Sequence, residues 1–299
     1  MKNYVIITDS SCDLDKSLRE KYGLDYVEMR ITYDNIDVPA SLDWEYIPAK
    51  EFYGLMRNGT RITTSQATAD AYREKFEHYI KEGYDILSLS CSSALSSSVN
   101  GSYIARDDLK EIYPESKIIC IDALNSCYGL GLMAITASEM RNEGKTIEET
   151  AEWIESHKQE VNQLATVEDL NYLKRAGRVT AASAVFGGLL QIKPIIISDT
   201  AGQNVPVEKV RGRRTSINRI ISLFTENYLP NKYQKIFIGH ADCLEEAEAL
   251  KKEVYEALPD KNVEIYIGYI GPIIGASVGP GTLGLYFFGK EVTFRADKK

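Results

Sequence analysis

The sequence predicts a two-domain α/β protein, with a doubly wound parallel sheet of Rossmann-like architecture in its first half and a mixed sheet in its second. Two observations carry this prediction. Short apolar runs alternate with helical patterns up to about residue 160, and strand-like runs then follow one another more closely. A chain of 299 residues can bury cores of ordinary size. We therefore expect an N-terminal domain over residues 1–160 and a C-terminal α/β domain over 161–299.

The elements of the first half follow from hydrophobic periodicity and capping residues. Asp13 and Thr68 stand where helix N-caps are expected. Strands are predicted over residues 4–8, 26–31, 85–89 and 117–121. Helices are predicted over residues 14–22, 48–57, 69–82, 95–113, 128–143 and 147–160. Because strands and helices alternate, the strands are expected to lie parallel. The glycine fingerprint of dinucleotide-binding sheets is absent from the sequence.

The second half is richer in strands. They are predicted over residues 163–167, 192–197, 205–210, 236–238, 263–267 and 283–288. Helices are predicted over residues 181–190, 214–228 and 244–257. No flexible linker separates this half from the first.

Charge, cysteines and hydropathy narrow the class of protein. The net charge of −8 argues against a nucleic-acid-binding protein, which needs a basic face. Five cysteines without a Cys-x-x-Cys pair indicate reduced thiols in the cytoplasm, and three separated histidines argue against a histidine-based metal site. No run approaches the roughly 18 apolar residues of a membrane helix, so stable membrane insertion is not expected.

Hydroxyl-rich loops follow several predicted strands, where open α/β sheets bind ligands. The loop 63–68 holds three threonines, a serine and a glutamine, and the loop 88–98, called the serine loop below, holds seven serines. Hydroxyls and helix-start amides bind anions, so both loops are candidate sites for an acidic ligand. A helix cap is the alternative for the first loop. A flexible linker is the alternative for the second, and its apolar, regular flanks disfavour that interpretation.

Asp9, in the loop after the first strand, has two interpretations. It either takes a ligand hydroxyl or metal ion, or it caps the next helix together with Ser10 and Ser11, and capping is favoured. Asp122, after the strand ending at 121, is interpreted as an anchor of its own loop.

Two basic segments and one glycine-rich segment complete the candidates. Arg178, in a turn over 173–178, is a candidate to pair with a carboxylate or phosphate, and solvated surface charge is the alternative for this segment. The segment 209–214 is interpreted as solvated surface charge. The segment 270–281, with four glycines and two prolines, is either a structural loop or a ligand-facing one. No recognisable catalytic triad, phosphate-loop or zinc-protease motif is present, which argues against a hydrolase.

In combination, these segments resemble the DegV family of fatty-acid-binding proteins along nearly the whole chain. Each segment alone is a weak match, and their shared order makes the resemblance specific. The matching segments are 7–14, 64–66, 92–96, 169–178, 192–195, 209–212, 240–242 and 275–281.

The resemblance implies a long-chain fatty acid, such as palmitate, in an apolar tunnel between two domains, with no other cofactor. The carboxylate would meet Thr64 of the Thr-Ser-Gln motif, beside Ser65, and a serine of the serine loop. Ser96 fits that position best and Ser93 second, and Arg178 would lie near the head group. The protein would not be an enzyme. It would present the acid to a separate fatty acid kinase that binds the ATP.

The sequence departs from the family's pattern at this site. Ser277 stands where the family usually has a histidine beside the carboxylate, and Ser97 stands where a glycine is usual in the serine loop. Two alternatives therefore stay open. One is an enzyme acting on a phosphorylated or carboxylated metabolite, with Asp9 as nucleophile or metal ligand. The other is a regulatory protein that responds to a bound lipid.

Overall fold

Three sheets organise the computed structural model, which describes residues 3–179 and 192–296. Its strands are β1 (Tyr4–Asp9), β2 (Leu24–Val27), β3 (Arg30–Tyr33), β4 (Ile36–Pro39), β5 (Thr63–Ser65), β6 (Asp85–Ser90), β7 (Ile118–Asp122), β8 (Val161–Thr166), β9 (Ile192–Ser198), β10 (Asn204–Arg211), β11 (Ile236–His240), β12 (Ile265–Tyr269) and β13 (Leu283–Phe288). Its α-helices are α1 (Lys16–Tyr22), α2 (Ala49–Arg57), α3 (Ala69–Lys81), α4 (Ser98–Ile112), α5 (Cys127–Asn142), α6 (Ile147–His157), α7 (Leu170–Ala176), α8 (Arg213–Asn227), α9 (Leu244–Ala257) and α10 (Pro272–Val278).

The first sheet has the order β2-β1-β6-β7, and every neighbouring pair is parallel. The second has the order β10-β9-β8-β13-β11-β12 and is antiparallel except for the β11–β12 pair. This arrangement confirms the predicted α/β class with one parallel and one mixed sheet. The loops after β1, β6 and β7 meet at one edge of the parallel sheet, where the hydroxyl-rich segments were expected to converge.

A third sheet, β4-β3-β5, is antiparallel and was not predicted. The predicted strand over 26–31 was wrong, because the chain leaves the parallel sheet at Val27 and enters this small sheet at Arg30. The hydroxyl of Ser10 accepts a hydrogen bond from the Met29 amide at 2.9 Å, which fixes the crossing point. The segment predicted as a polar loop at 63–68 begins as β5, whose Thr64 pairs with Ile31.

Capping residues set several helix ends. Thr68 caps α3 as predicted, since its hydroxyl accepts from the Ala71 amide at 3.2 Å. The predicted cap at Asp13 was wrong. Asp15 caps α1, accepting from the Leu18 amide at 2.9 Å, while Asp13 turns into the interior with a φ of +56°.

Two seven-residue helices replace predicted irregular segments. The turn over 173–178 is the end of α7, which Gly177 closes in the left-handed conformation with a φ of +66°. Within the glycine-rich segment 270–281, α10 begins at Pro272, a residue that suits a first helical position. The predicted helix over 181–190 lies outside the described residues.

Helix α5 lies between the two large sheets. It packs against β1 of the first sheet and against β8, β11 and β13 of the second. Nearly all of its residues are buried, as expected for a helix that is apolar all round. Gly131 permits this packing, because a Cβ there would lie 2.8 Å from the Cys12 carbonyl oxygen. In the described part of the chain, no helix is long and apolar enough to cross a membrane.

Candidate ligand-binding site

The six residues predicted to bind the ligand line one cavity of about 510 Å³. They come from four separate segments: β5, the serine loop between β6 and α4, the residue pair after α7, and the last turn of α10. The six are Thr64, Ser65, Ser93, Ser96, Arg178 and Ser277. The volume falls in the range of about 300–1,000 Å³ that is typical of small-molecule sites.

The serine loop is held by its own hydrogen bonds. The amides of residues 92–96 all donate within the protein, to acceptors on Ser92, Asp122 and Asn125, at 2.9–3.2 Å. The expectation that these amides face an anion was therefore wrong, because an N–H donor in use is not available to a ligand. Asp122 anchors the loop as predicted, accepting from the amides of Ser93 and Leu124 at 3.1 Å each.

The hydroxyls of the cavity remain available. Within the described residues, those of Thr64, Ser65, Ser93 and Ser277 have no hydrogen-bond partner. All four side chains are at least partly exposed to solvent in the cavity. A hydroxyl can donate one hydrogen bond to a carboxylate, so these groups can replace part of the water around an acidic ligand.

Ser96 is positioned by Ser98, whose hydroxyl oxygen lies 2.9 Å away. Ser98 accepts a hydrogen bond from the Ala67 amide at 3.1 Å, so its own proton is free to point to Ser96. Either hydroxyl of this pair can donate to the other, and when Ser98 is the donor the Ser96 proton is available to a ligand. Ser98 also ties the serine loop to the Thr-Ser-Gln segment, a positioning role that the sequence did not distinguish from those of the neighbouring serines.

Arg178 supplies the positive charge of this cavity. Its Nε donates to the Leu95 carbonyl at 3.1 Å and its Nη1 to the Ala176 carbonyl at 2.6 Å. Both acceptors are neutral, so the charge of the guanidinium is not compensated by a carboxylate. No acidic residue lines this cavity along the described chain.

One wall of the cavity is apolar. It is made chiefly by the side chains of Met29, Leu95, Ile273, Ile274 and Val278. The sequence predicted Ser277 at this site but missed the helix α10 and its apolar side chains, because a glycine-flanked helix of seven residues shows no clear helical period. Asn204, at the start of β10, was also missed. Its side-chain oxygen accepts from Gln163 at 2.9 Å, and the residue lines the same cavity.

A second cavity, of about 390 Å³, adjoins the first and shares Thr64, Arg178 and Ser277 with it. Three further arginines line it: Arg57, Arg61 and Arg175. Sequence reasoning did not single out Arg57 and Arg61, and it named Arg175 only as part of the basic turn over 173–178.

Asp9 is wholly buried beneath the serine loop. Its carboxylate accepts hydrogen bonds from the amide and hydroxyl of Ser11 and from the Cys91 amide, the last at 2.9 Å. Burial raises the pKa of Asp9, and these hydrogen bonds partly offset that effect. The favoured interpretation as a helix cap was wrong in detail, because Asp9 joins the β1 loop to the serine loop. In this arrangement its oxygens do not face either cavity.

Comparison with known proteins identifies the relatives of this chain. A family model, described as an uncharacterised protein of the DegV family, matches residues 3–290. A DegV domain-containing protein of Clostridium perfringens is 38% identical over 289 residues, covering 97% of this chain and 98% of that protein.

Solved structures agree with the family match. DegV of Bacillus subtilis, described as a fatty acid binding protein, is 28% identical, with a TM-score of 0.82 over 97% of this chain and 100% of that one. A DegV family protein of Thermus thermophilus, described by its fatty acid binding, is 25% identical, with a TM-score of 0.85 and the same coverage. The resemblance inferred from the sequence is thereby confirmed, and the chain belongs to the DegV family.

Proposed function

We propose that this protein binds a long-chain fatty acid, such as palmitate, with the carboxylate held by Thr64 and Ser96 in the cavity of about 510 Å³. The observation that carries the proposal is the meeting of unpaired hydroxyls, an uncompensated arginine and an apolar wall in that one cavity. Ser93, Ser65 and Ser277 complete the polar end. The solved relatives described as fatty acid binding proteins support the same ligand class.

The energetics suit an amphipathic acid. A carboxylate taken out of water without partners is strongly disfavoured, and here the hydroxyls and Arg178 replace its water. Each methylene transferred from water to an apolar surface contributes about 0.8 kcal/mol. The acyl chain therefore supplies most of the affinity, and the head-group contacts fix its orientation.

We further propose a carrier role in lipid transport or fatty acid metabolism, carried out in the cytoplasm without catalysis by this chain. The bound acid would be presented to a fatty acid kinase. Acyl phosphate should then form from the loaded protein only when kinase, ATP and magnesium are added.

Ser277→His should increase the rate at which acyl phosphate forms, because a histidine adds a hydrogen-bond donor beside the carboxylate. A loaded protein that no such kinase accepts would instead favour the lipid-responsive regulatory protein.

Calorimetric titration of delipidated protein with palmitate and with 1-hexadecanol tests the head-group assignment. Thr64→Val and Ser96→Ala should each weaken palmitate binding by about 1–3 kcal/mol, the cost of a lost hydrogen bond to a charged group. Binding of the alcohol should change less, because it carries no charge.

Thr225→Val is the matched control. Thr225 is exposed on α8, and its hydroxyl donates to the Ile221 carbonyl at 3.0 Å, away from both cavities. Palmitate affinities that are equal in the wild type, Thr64→Val and Ser96→Ala would overturn the assigned site.

A further inference from the structure

One residue in the wall of the first cavity does not suit a hydrocarbon chain. Asn204 begins β10 and lines the cavity of about 510 Å³ together with the hydroxyl residues and the apolar side chains of α10. Its side chain ends in a primary amide, which has hydrogen-bonding capacity on both its oxygen and its nitrogen. When a ligand displaces the water around such an amide, each group left without a partner weakens binding.

Only part of this hydrogen-bonding capacity is used within the protein. The Oδ1 of Asn204 accepts a hydrogen bond from the Nε2 of Gln163 at 2.9 Å, and the two side chains are called the amide pair below. Gln163 lies on β8 and is 6% exposed, so its buried amide orients that of Asn204. The Nδ2 of Asn204 and the Oε1 of Gln163 make no hydrogen bond within the described residues. Two N–H donors of Asn204 are therefore left for a molecule in the cavity.

The polar side chains near the amide pair are better satisfied. Asn125 uses both ends of its amide, since it donates to the Val161 carbonyl at 3.2 Å and accepts from the amide of the next residue at 2.9 Å. The hydroxyl of Ser198 donates to the Leu124 carbonyl at 2.8 Å. The amide pair thus differs from its surroundings in having a donor and an acceptor left over.

Asn204 and the proposed carboxylate site lie at different ends of the serine loop. Gly202, two residues before Asn204, packs against the start of this loop, where a Cβ on Gly202 would lie 2.1 Å from the Ser92 hydroxyl oxygen. At the other end of the loop, the hydroxyl of Ser98 accepts at 3.1 Å from the amide of the residue that follows the Thr-Ser-Gln segment. A ligand whose carboxylate meets Thr64 therefore reaches Asn204 with its acyl chain.

We propose that the acyl chain of the natural ligand carries a hydroxyl group, and that the Asn204 amide binds this hydroxyl. The inference rests on the proposed binding of a long-chain fatty acid and names the kind of acid within that class. A plain hydrocarbon chain covers the amide and leaves the Nδ2 of Asn204 without a partner. A hydroxyl replaces the lost water, since its oxygen accepts from that Nδ2 and its proton can be donated to the Oε1 of Gln163.

Calorimetric titration of delipidated protein with palmitate and with 3-, 10- and 16-hydroxypalmitate tests the proposal. The three isomers place the hydroxyl near the carboxylate, in mid-chain and at the chain end. Asn204→Leu should tighten palmitate roughly threefold, because the unpaired donor is removed, and should weaken one isomer roughly threefold, because its hydroxyl loses its partner. The ratio of these two affinities should therefore change about tenfold between the wild type and the variant.

A double variant, Gln163→Leu with Asn204→Leu, removes the whole amide pair and leaves no buried amide without its partner. It should show the same change of ratio. Asn218→Leu is the matched control, because Asn218 is exposed on α8 and lines neither cavity. It should leave all four affinities unchanged. Circular dichroism of each variant should match the wild type, so that a change of affinity reports binding.

The outcomes separate this proposal from the fatty acid carrier. Palmitate binding with the same affinity ratios in the wild type and in both leucine variants, for all three isomers, would overturn the hydroxyl site and leave the carrier in place. A wild type that binds none of the four acids would overturn both. A wild type that binds one hydroxypalmitate but not palmitate, with that binding lost in Asn204→Leu, would support the hydroxyl site and contradict palmitate as the ligand.

Discussion

Asp13 is a buried carboxyl group at the junction of the two halves. It is 4% exposed, and neither of its oxygens accepts a hydrogen bond of ordinary geometry from the described residues. Burial raises its pKa to about 7, although the Cys127 thiol and the Gly271 amide favour the charged form. Gly271 directly precedes α10, so the ionisation of Asp13 acts next to the helix that carries Ser277.

This raised pKa predicts a pH-dependent stability. Between the ordinary aspartate pKa of 3.8 and about 7, the folded state keeps a proton that the unfolded state has lost. The free energy of unfolding should therefore fall as the pH rises through this window, by at most about 4 kcal/mol from this group. Asp13→Asn should remove that contribution and gain stability relative to the wild type between pH 5 and pH 8, measured by urea unfolding.

Asp34→Asn provides the control, because Asp34 is exposed and has a similar left-handed backbone, with a φ of +47°. The difference in the free energy of unfolding between Asp34→Asn and the wild type should be the same at pH 5 and at pH 8. If the free energy of unfolding changes with pH in the same way in Asp13→Asn and in the wild type, the pKa of the buried Asp13 carboxyl is not raised.

At the scale of single residues, chemistry and resemblance together predicted six polar residues that line one cavity, and their role in binding stays a prediction. Thr64, Ser96 and Arg178 line one cavity because β5 of the small sheet, the serine loop after β6 and the turn after α7 meet there. The lack of a carboxylate partner at Arg61 and Arg175 within the described residues could not be predicted, since whether an arginine forms an ion pair depends on tertiary contacts that are distant in sequence. The same is true of the Ser92 and Ser93 amides, whose acceptors Asn125 and Asp122 lie in the loop after β7.

The turn between β9 and β10 is the element that closes the back of the serine loop. Gly202 in this turn has a φ of +72°, and a Cβ there would lie 2.1 Å from the Ser92 hydroxyl oxygen and 2.9 Å from Leu124 Cα. Nearby, the Ser198 hydroxyl donates to the Leu124 carbonyl at 2.8 Å. The C-terminal half thus supports the loop that carries Ser93 and Ser96.

Gly202→Ala should therefore destabilise the protein through two effects, a strained φ and a clash with the serine loop. Gly144→Ala isolates the first effect, because Gly144 has a φ of +83° but no atom within 4 Å of its added Cβ. We expect the free energy of unfolding, measured with urea, to fall by about 1 kcal/mol in Gly144→Ala and by about 2–4 kcal/mol in Gly202→Ala. Equal losses in the two variants would show that the turn does not pack against the serine loop.

The length of a helix or strand decides whether its sequence pattern predicts it. The long helices α3, α8 and α9 were predicted within a residue or two, since an apolar face repeats several times along each. Helices α7 and α10 and strands β3, β4 and β5 have only three to seven residues, so they offer too few repeats to distinguish them from loops. These short elements carry Thr64 and Ser277, so the cavity could not be assembled from periodicity alone.

In the whole molecule, two sheets enclose one shared helix. Buried residues of α5 join a single hydrophobic cluster that also includes Ile6 of the parallel sheet and Phe237 of the mixed sheet. The division into domains over 1–160 and 161–299 stays a prediction, and α5 would be the part that both use. The cavity lies where loops of the first half meet α7 and α10 of the second.

Native mass spectrometry of the full chain as purified shows whether this cavity holds a long-chain fatty acid. We expect an added mass equal to one long-chain fatty acid, identified after extraction. Delipidated protein should regain one such mass on addition of palmitate. A protein that is purified empty and takes up no added palmitate does not bind a long-chain fatty acid in this cavity, and the proposed function would be wrong.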